Sequence, residues 1–255
     1  MIGIFDSGLG GLTVAKEIMR ALPGQKILYF GDTARTPYGN KSPEVVAQYA
    51  IENTKFLLRK KAKAIVVGCN TASAVAGLKL RKEFPKVPIF EVITPAVREA
   101  LRVTRNGKIG VIGTRTTIGS GAYQKWCKMH TRECPLFVPL VEAGHLNHPT
   151  THEIARHYLE PLKRAGIDTL ILGCTHYPLL KPLIKSIMGN TVQLVDSAET
   201  VAREIANVKF KMQNVKLPKH EFYVSKKTPK FQEIAQNWLG HKIELREIRT
   251  KQDKD

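Results

Sequence analysis

Short apolar runs alternate with amphipathic stretches along the chain, and this alternation predicts an α/β fold. The runs are rich in β-branched residues, as expected for the buried strands of a parallel sheet. The predicted strands are 2–5, 26–30, 64–68, 89–93, 108–112, 137–139, 169–173 and 193–195. The predicted helices are 11–21, 43–60, 74–83, 150–164 and 197–207. Thr150 and Glu153 form a capping-box pattern at the start of one helix.

The strand pattern occurs twice. IGIFDS at 2–7 resembles IGVIGT at 109–114, and AKAIVVGCNTAS at 62–73 resembles IDTLILGCTHYP at 167–178. This repetition predicts two pseudo-symmetric, doubly wound α/β domains with largely parallel sheets. The stretch from His220 to Ile248 holds a further strand, helix and strand. Pattern alone leaves open whether this stretch caps the second domain or returns to the first.

Each half has a strand that ends at a cysteine, Cys69 or Cys174. Parallel sheets of this class carry their functional groups at the carboxyl ends of the strands. The candidate residues at predicted strand ends are Asp6, Ser7, Cys69, Asn70, Thr114 and Cys174. If the two sets of strand ends face each other, a ligand lies between the domains with a thiol on each side. This arrangement suits a reaction in which one proton leaves a carbon and another arrives on the opposite face.

The chemical interpretation of these residues competes with structural ones. A buried cysteine is by default a small hydrophobe, but a following helix favours a reactive thiolate. His176 could hold or relay a proton, or cap a turn. Asp6 could accept a proton or bind an ammonium group, or cap a helix. The polar residues that follow both cysteines favour a catalytic role.

Two loops are candidates for ligand binding. The glycine-rich loop 6–11 matches neither common nucleotide-binding pattern, and we expect a nest of backbone N–H groups that binds a carboxylate. In the loop 32–40, Tyr38 and Gly39 could close over a small ligand.

Composition narrows the function further. The 255 residues include four cysteines and no apolar stretch long enough to span a bilayer, which favours a reducing cytoplasm. The net charge of +18 indicates an anionic partner or a solvated lysine-rich surface. Because zinc-finger and RNA-recognition motifs are absent, nucleic-acid binding is possible but not primary. The spacing of the histidines at 145–157 and of Cys127, His130 and Cys134 fits no metal-site pattern, so we expect no metal.

Five motifs resemble those of glutamate racemases of bacterial cell-wall synthesis: FDSGLGGLTV, GDTARTPYGNKS, VVGCNTASA, ECPLFVPLVEAG and LILGCTHYPLL. The likeness runs nearly end to end. It implies racemisation of L-glutamate to D-glutamate without a cofactor, in an interdomain active site, and we expect a cytoplasmic homodimer. It also implies that the C-terminal part returns to the first domain. The expected domains are therefore 1–93 plus 208–255, and 94–207.

The resemblance also implies residue roles. Cys69 and Cys174 are the two bases, Asp6 and His176 assist them, and Glu142 lies near the site. The implied substrate-binding residues are Asp6, Ser7, Tyr38, Gly39, Asn70, Thr71, Thr114, Thr117, Thr175 and His176. The alternatives are an aspartate or hydantoin racemase of the same fold, or a DNA-associated secondary role.

Overall fold

The strands of the computed structural model form two sheets, and the structure describes residues 1–208 and 218–248. The strands are β1 Ile2–Asp6, β2 Ile27–Gly31, β3 Ala64–Val67, β4 Ile89–Glu91, β5 Ile109–Gly113, β6 His130–Glu133, β7 Thr169–Gly173, β8 Gln193–Asp196, β9 Glu221–Val224 and β10 Leu245–Glu247. The α-helices are α1 Leu12–Ala21, α2 Pro43–Arg59, α3 Asn70–Glu83, α4 Ile93–Val103, α5 Arg115–Gly119, α6 Phe137–Glu142, α7 Pro149–Arg164, α8 Lys181–Met188, α9 Ser197–Ala206 and α10 Pro229–Leu239. Two 3₁₀ turns span Tyr38–Asn40 and Tyr177–Leu180.

The two sheets repeat one topology. The first has the order β10-β9-β2-β1-β3-β4 and the second the order β6-β5-β7-β8, and the paired strands are parallel throughout. Strands β1 to β4 thus have the same neighbours as β5 to β8. This arrangement confirms the predicted pair of pseudo-symmetric α/β domains.

The C-terminal strands return to the first sheet. Strand β9 pairs with β2, so that Tyr29 lies opposite Phe222, and β10 extends the sheet beyond β9. The aromatic rings of Tyr29 and Phe222 lie 6.3 Å apart within one buried apolar cluster. This pairing answers the question that the hydrophobic pattern left open. Residues 209–217 and 249–255, which the predicted first domain includes, lie outside the described part of the chain.

Two helices pack across the predicted domain boundary, which itself remains a prediction. Val201 and Ile205 of α9, placed by prediction in the second domain, share an apolar cluster with Ile4 of β1. Trp238 of α10 packs against core clusters of both halves. The two halves are therefore joined by packed apolar surface as well as by the chain.

The strand predicted at 137–139 is wrong, because Phe137–Glu142 is helix α6. Phe137 and Val141 are buried on one face of that helix, four residues apart. The strand that completes the second sheet is β6, with the sequence HTRE. Each of its residues is exposed or only half-buried, so β6 lacks the apolar run by which a strand is recognised.

Helix starts also differ from the sequence-based expectations. The N-cap of α7 is His148, whose Nδ1 accepts a hydrogen bond from the Thr150 N–H at 3.3 Å, so the capping box predicted there is wrong. The predicted strand 89–93 ends early at Glu91. The carboxylate of Glu91 accepts the N–H groups of Ile93 (2.6 Å) and Thr94 (3.0 Å) at the start of α4. Within 1–208 and 218–248, none of the helices combines the length and the apolar character that crossing a bilayer requires.

Candidate active site

The two repeated cysteines line one cavity of about 340 Å³, a volume within the range of small-molecule sites. Cys69 follows β3 and is the N-cap of α3. Cys174 follows β7, and the 3₁₀ turn Tyr177–Leu180 separates it from the next α-helix. Both side chains are buried, with 5% and 6% of their surface exposed. The strand ends of the two sheets thus contribute to a shared site, as the repeat predicted.

Most of the predicted site residues line this cavity. They are Ser7, Tyr38, Gly39, Cys69, Asn70, Thr71, Thr114, Glu142, Cys174, Thr175 and His176. Asp6 and Thr117 do not line it, but Asp6 acts electrostatically on Cys69, and the Thr117 hydroxyl lies 2.8 Å from that of Thr114. The remaining lining residues were not among the predicted site residues, although the first three belong to the candidate loop 32–40: Thr36, Pro37, Asn40, Arg115, Pro135, Val138 and Pro139.

Cys69 lies in surroundings that keep its thiol protonated. Burial, reinforced by the neighbouring carboxylate of Asp6, raises the pKa of Cys69 to about 12. Hydrogen bonds from the Ala72 N–H and the Ser7 hydroxyl lower the pKa of Cys69, but by less than burial raises it. The expectation that the helix N-terminus would favour a thiolate at Cys69 is therefore wrong for this resting state, because desolvation is the larger effect.

Cys174 has a cationic neighbour. The Nδ1 atom of His176 lies 3.7 Å from the Cys174 sulfur, and its Nε2 atom lies 3.0 Å from Oε1 of Glu142. Burial alone would lower the pKa of His176, but its hydrogen bonds with Cys174 and Glu142 outweigh burial and raise the pKa to about 10. His176 is therefore an imidazolium at neutral pH, held between the Cys174 sulfur and the Glu142 carboxylate.

Asp6 lies behind the cavity, fully buried at the end of β1. Its Oδ2 atom accepts the Gly8 N–H at 2.9 Å, whereas its Oδ1 atom has no partner in the described structure. Burial raises the pKa of Asp6, although His176 and the backbone N–H groups partly offset this effect. Helix α1 is capped by Gly11 without a side-chain hydrogen bond, so Asp6 is not its N-cap.

Hydroxyl and amide groups from both halves meet beside the cysteines. The side-chain oxygens of Thr71, Thr114 and Thr117 lie 2.8–3.1 Å from one another. The Asn70 amide donates to the hydroxyls of Tyr123 (2.9 Å) and Ser197 (3.2 Å). The Oδ1 atom of Asn70 is buried and has no partner among the described residues. This side of the cavity thus offers the hydroxyl groups of Thr71 and Thr114.

The glycine-rich loop 6–11 supports the site from behind. Ser7 is its single contribution to the cavity lining, and the Gly8 N–H is bonded to Asp6, so the predicted carboxylate nest does not face the cavity. A Cβ atom on Gly10 would lie 2.4 Å from Thr175 Oγ1 and 2.5 Å from the His176 ring. Glycine is therefore required at position 10 for the loop to pack against the residues after Cys174.

Tyr38 and Arg115 show what the sequence could and could not indicate. The Tyr38 hydroxyl donates to Asp32 and accepts from Asn53, so the ring or backbone of Tyr38 faces the cavity. Arg115 lines the cavity while forming an ion pair with Glu133 at 3.4 Å. Its only sequence signal is its position directly after Thr114, a predicted strand-end residue.

Three of the histidines considered as metal ligands make other contacts. In the described ranges, no group of three or more His, Cys, Asp or Glu side chains is placed to hold a metal ion. His145 stacks on His148 with ring centroids 5.2 Å apart, and His157 Nε2 lies 3.1 Å from the guanidinium of Arg132.

Comparison with known proteins places this geometry in a family. The model described as Asp/Glu/Hydantoin racemase matches residues 6–205. The chain belongs to that racemase family. A curated member named glutamate racemase, from Geobacter metallireducens, is 48% identical over 95% of this chain and 93% of its own length.

Solved structures of racemases show the same fold. Glutamate racemase isoform RacE1 from Bacillus anthracis has a TM-score of 0.93 at 41% identity and covers 97% of each chain. Glutamate racemase from Francisella tularensis, solved in complex with D-glutamate, has a TM-score of 0.91 at 34% identity and covers 98% of each chain. These findings confirm the resemblance that the sequence motifs indicated.

Proposed function

We propose that this protein interconverts L- and D-glutamate by moving the α-proton between Cys69 and Cys174. The observation that carries the proposal is that both cysteines, from equivalent strand ends of the two sheets, line the same small cavity. The names of the curated relatives support glutamate as the substrate. The activity is that of an isomerase.

Two thiols can perform this reaction without an external electron acceptor. One cysteine, as thiolate, takes the α-proton, and the electron pair of the C–H bond moves onto the α-carboxylate. The other cysteine, as thiol, then gives a proton to the opposite face of the α-carbon. Atoms and charge balance, and the two sulfurs have exchanged protonation states. The reverse reaction begins from the exchanged state.

In the resting structure the two sulfurs have different electrostatic surroundings. Burial beside Asp6 keeps Cys69 a thiol, whereas the Cys174 sulfur lies 3.7 Å from Nδ1 of His176. We therefore assign Cys69 as the proton donor from this resting structure and Cys174 as the proton acceptor. For the other enantiomer, the proton must first move from Cys69 to Cys174, and we infer that Asp6 and His176 support that transfer.

The substrate is held by the polar groups around the sulfurs. The hydroxyls of Ser7, Thr71, Thr114 and Thr175 can donate to the carboxylates. Preorganised donors of this kind stabilise the negative charge that develops on the α-carboxylate in the transition state.

The proposal is tested by following optical rotation with each pure enantiomer of glutamate, aspartate and a hydantoin. Decay with both glutamate enantiomers is the expected result. Decay with aspartate or a hydantoin instead would identify one of the alternatives within the family. In deuterated water, the product should carry deuterium at the α-carbon while the remaining substrate gains little. Equal labelling of both would contradict the two-base scheme.

The cellular role follows from the product. We propose that the D-glutamate serves peptidoglycan synthesis and that the enzyme acts in the cytoplasm as a homodimer. The four unpaired cysteines in the described structure suit a reducing compartment. Sedimentation velocity would decide the oligomeric state, and a monomer at all concentrations would contradict it. A secondary association with DNA would appear as binding that falls steeply with salt.

A further inference from the structure

One hydroxyl outside the cavity connects two elements that line it. The Thr116 side chain, in the first turn of α5, donates to the carbonyl oxygen of Gly39 at 2.8 Å and lies 3.2 Å from that of Lys41. Thr116 comes after β5 of the second sheet, whereas Gly39 and Lys41 follow β2 of the first. This contact therefore spans the two halves of the molecule.

The turn that contains Gly39 and the start of α5 also pack closely beside this hydrogen bond. A Cβ atom on Gly39 would lie 2.7 Å from the Cβ atom of Thr114, the N-cap of α5. Thus the 3₁₀ turn Tyr38–Asn40 and the start of α5 meet without intervening side-chain volume. Both also line the cavity, through Tyr38, Gly39 and Asn40 on one side and Thr114 and Arg115 on the other.

The other anchors of this turn belong to its own half. The Tyr38 hydroxyl bonds to Asp32 and Asn53, and the Lys41 N–H donates to the Tyr38 carbonyl at 3.1 Å. These bonds lie within the first half and do not join it to α5, whereas the bonds from Thr116 do. Because Thr116 itself does not line the cavity, its hydroxyl is free of any direct contact with a substrate there.

We propose that Thr116 is a positioning residue that latches the Tyr38–Asn40 turn onto α5 and so holds the cleft closed around the substrate. This inference rests on the proposed racemase function, since its effect is read from glutamate turnover.

Loss of the Thr116 hydrogen bond should weaken substrate binding more than it slows the chemical step. Removing a neutral hydrogen bond of ordinary strength changes an equilibrium by about three- to tenfold. Here that equilibrium is closure, so KM for both enantiomers of glutamate should rise about three- to tenfold. The rate constant kcat should change by less than about twofold, because the cysteines and their neighbours keep their positions once the cleft is closed.

The test compares Thr116→Val, which keeps the shape without the hydroxyl, with Thr116→Ser, which keeps the hydroxyl. We expect KM to rise in Thr116→Val and to stay near the parental value in Thr116→Ser. The matched control is Thr150→Val at an exposed position of α7, which should leave KM unchanged. Parental KM in Thr116→Val, or equal losses in the Val and Ser variants, would overturn the latch.

A second measurement does not depend on activity. Hydrogen–deuterium exchange at the Lys41 amide, which donates to Tyr38 within the turn, should be faster in Thr116→Val than in the parental protein and in Thr116→Ser. Unchanged exchange there would also overturn the latch. If the parental protein fails to racemise glutamate, the proposed function fails while the exchange experiment still judges the latch.

Discussion

At the scale of single residues, the two cysteines occupy equivalent positions in the fold but unequal electrostatic surroundings. Cys69 has the carboxylate of Asp6 as its charged neighbour, whereas Cys174 has the imidazolium of His176. The equivalent strand ends follow from the sequence repeat, but the inequality depends on Glu142, which reaches His176 from α6. The fold is thus symmetric in its backbone and asymmetric in its charges.

Replacing either cysteine by serine should nearly abolish racemisation. A serine hydroxyl is far less acidic than a thiol and cannot take or give the α-proton in its place, so turnover should fall by at least about a hundredfold. Cys127→Ser is the matched control, because Cys127 is a free cysteine that does not line the cavity. Polarimetry on glutamate measures all three variants, and near-parental turnover in Cys69→Ser or Cys174→Ser would disprove the scheme.

In Glu142→Gln, the free energy of unfolding should decrease less than in the parental protein as the pH rises into the alkaline range. The pKa of His176 is raised from 6.5 to about 10, so the folded protein holds that proton more tightly than the unfolded chain does. The resulting stabilisation is fully present below pH 6.5 and is lost as the pH rises through about 10. Glu142→Gln removes one group that raises this pKa, so the decline should become smaller.

Urea unfolding at a series of pH values between 6.5 and about 10 measures this decline. Glu160→Gln is the control, because the Glu160 side chain is 46% accessible and pairs with Arg164 on the surface of α7. An equal decline in the parental protein and in Glu142→Gln would show that Glu142 does not govern the protonation of His176.

At the scale of elements, the strands with an apolar run could be predicted from the sequence. Elements and contacts that depend on partners distant in the chain could not. The buried strands β1, β3 and β7 were located to within one residue because their runs end at Gly, Cys or Asp. Strand β6 was missed because a polar edge strand is recognised by its partner β5 rather than by its own sequence. For the same reason, the reach of Asn70 to Tyr123 and Ser197 could not be predicted.

Two glycines in regular elements should respond oppositely to alanine. In Gly77→Ala, within α3, the new methyl group would find its nearest neighbours at 3.9 Å, so better helix propensity should add about 0.5–1 kcal/mol to the free energy of unfolding. In Gly3→Ala, within β1, the methyl would lie 2.9 Å from the Ala62 Cβ and should remove about 1–3 kcal/mol. Thermal unfolding distinguishes the two, and a stabilised Gly3→Ala would contradict the packing argument.

At the scale of the whole molecule, the net charge of +18 attracts an anionic substrate such as glutamate. Of the residues that line the cavity, Arg115 and protonated His176 are the cations, and Arg115 is the exposed one, with 68% of its side chain accessible. Glu142, on the same lining, is paired with His176. Arg115 is therefore the lining cation that is placed to attract an anion from solvent.

Arg115→Gln should lower kcat/KM for glutamate about two- to fivefold at low ionic strength, and the difference should shrink as salt is added. The matched control is Arg20→Gln, which makes the same charge change at an exposed, ion-paired position on α1. Steady-state kinetics over a salt series measure both variants. A loss that is independent of salt, or equal losses in both variants, would exclude local attraction by Arg115.

The return of β9 to the first sheet has a consequence for synthesis of the chain. Until Glu221–Val224 has left the ribosome, β2 is the outermost strand of that sheet, and its sequence ILYFG is an apolar edge open to other nascent chains. The second sheet carries the polar HTRE strand at its corresponding edge and needs no later segment to cover it. The first sheet begins to form early in translation, but its β2 edge stays uncovered until β9 is made near the end of the chain. Chains that stall before Glu221 should therefore collect in inclusion bodies.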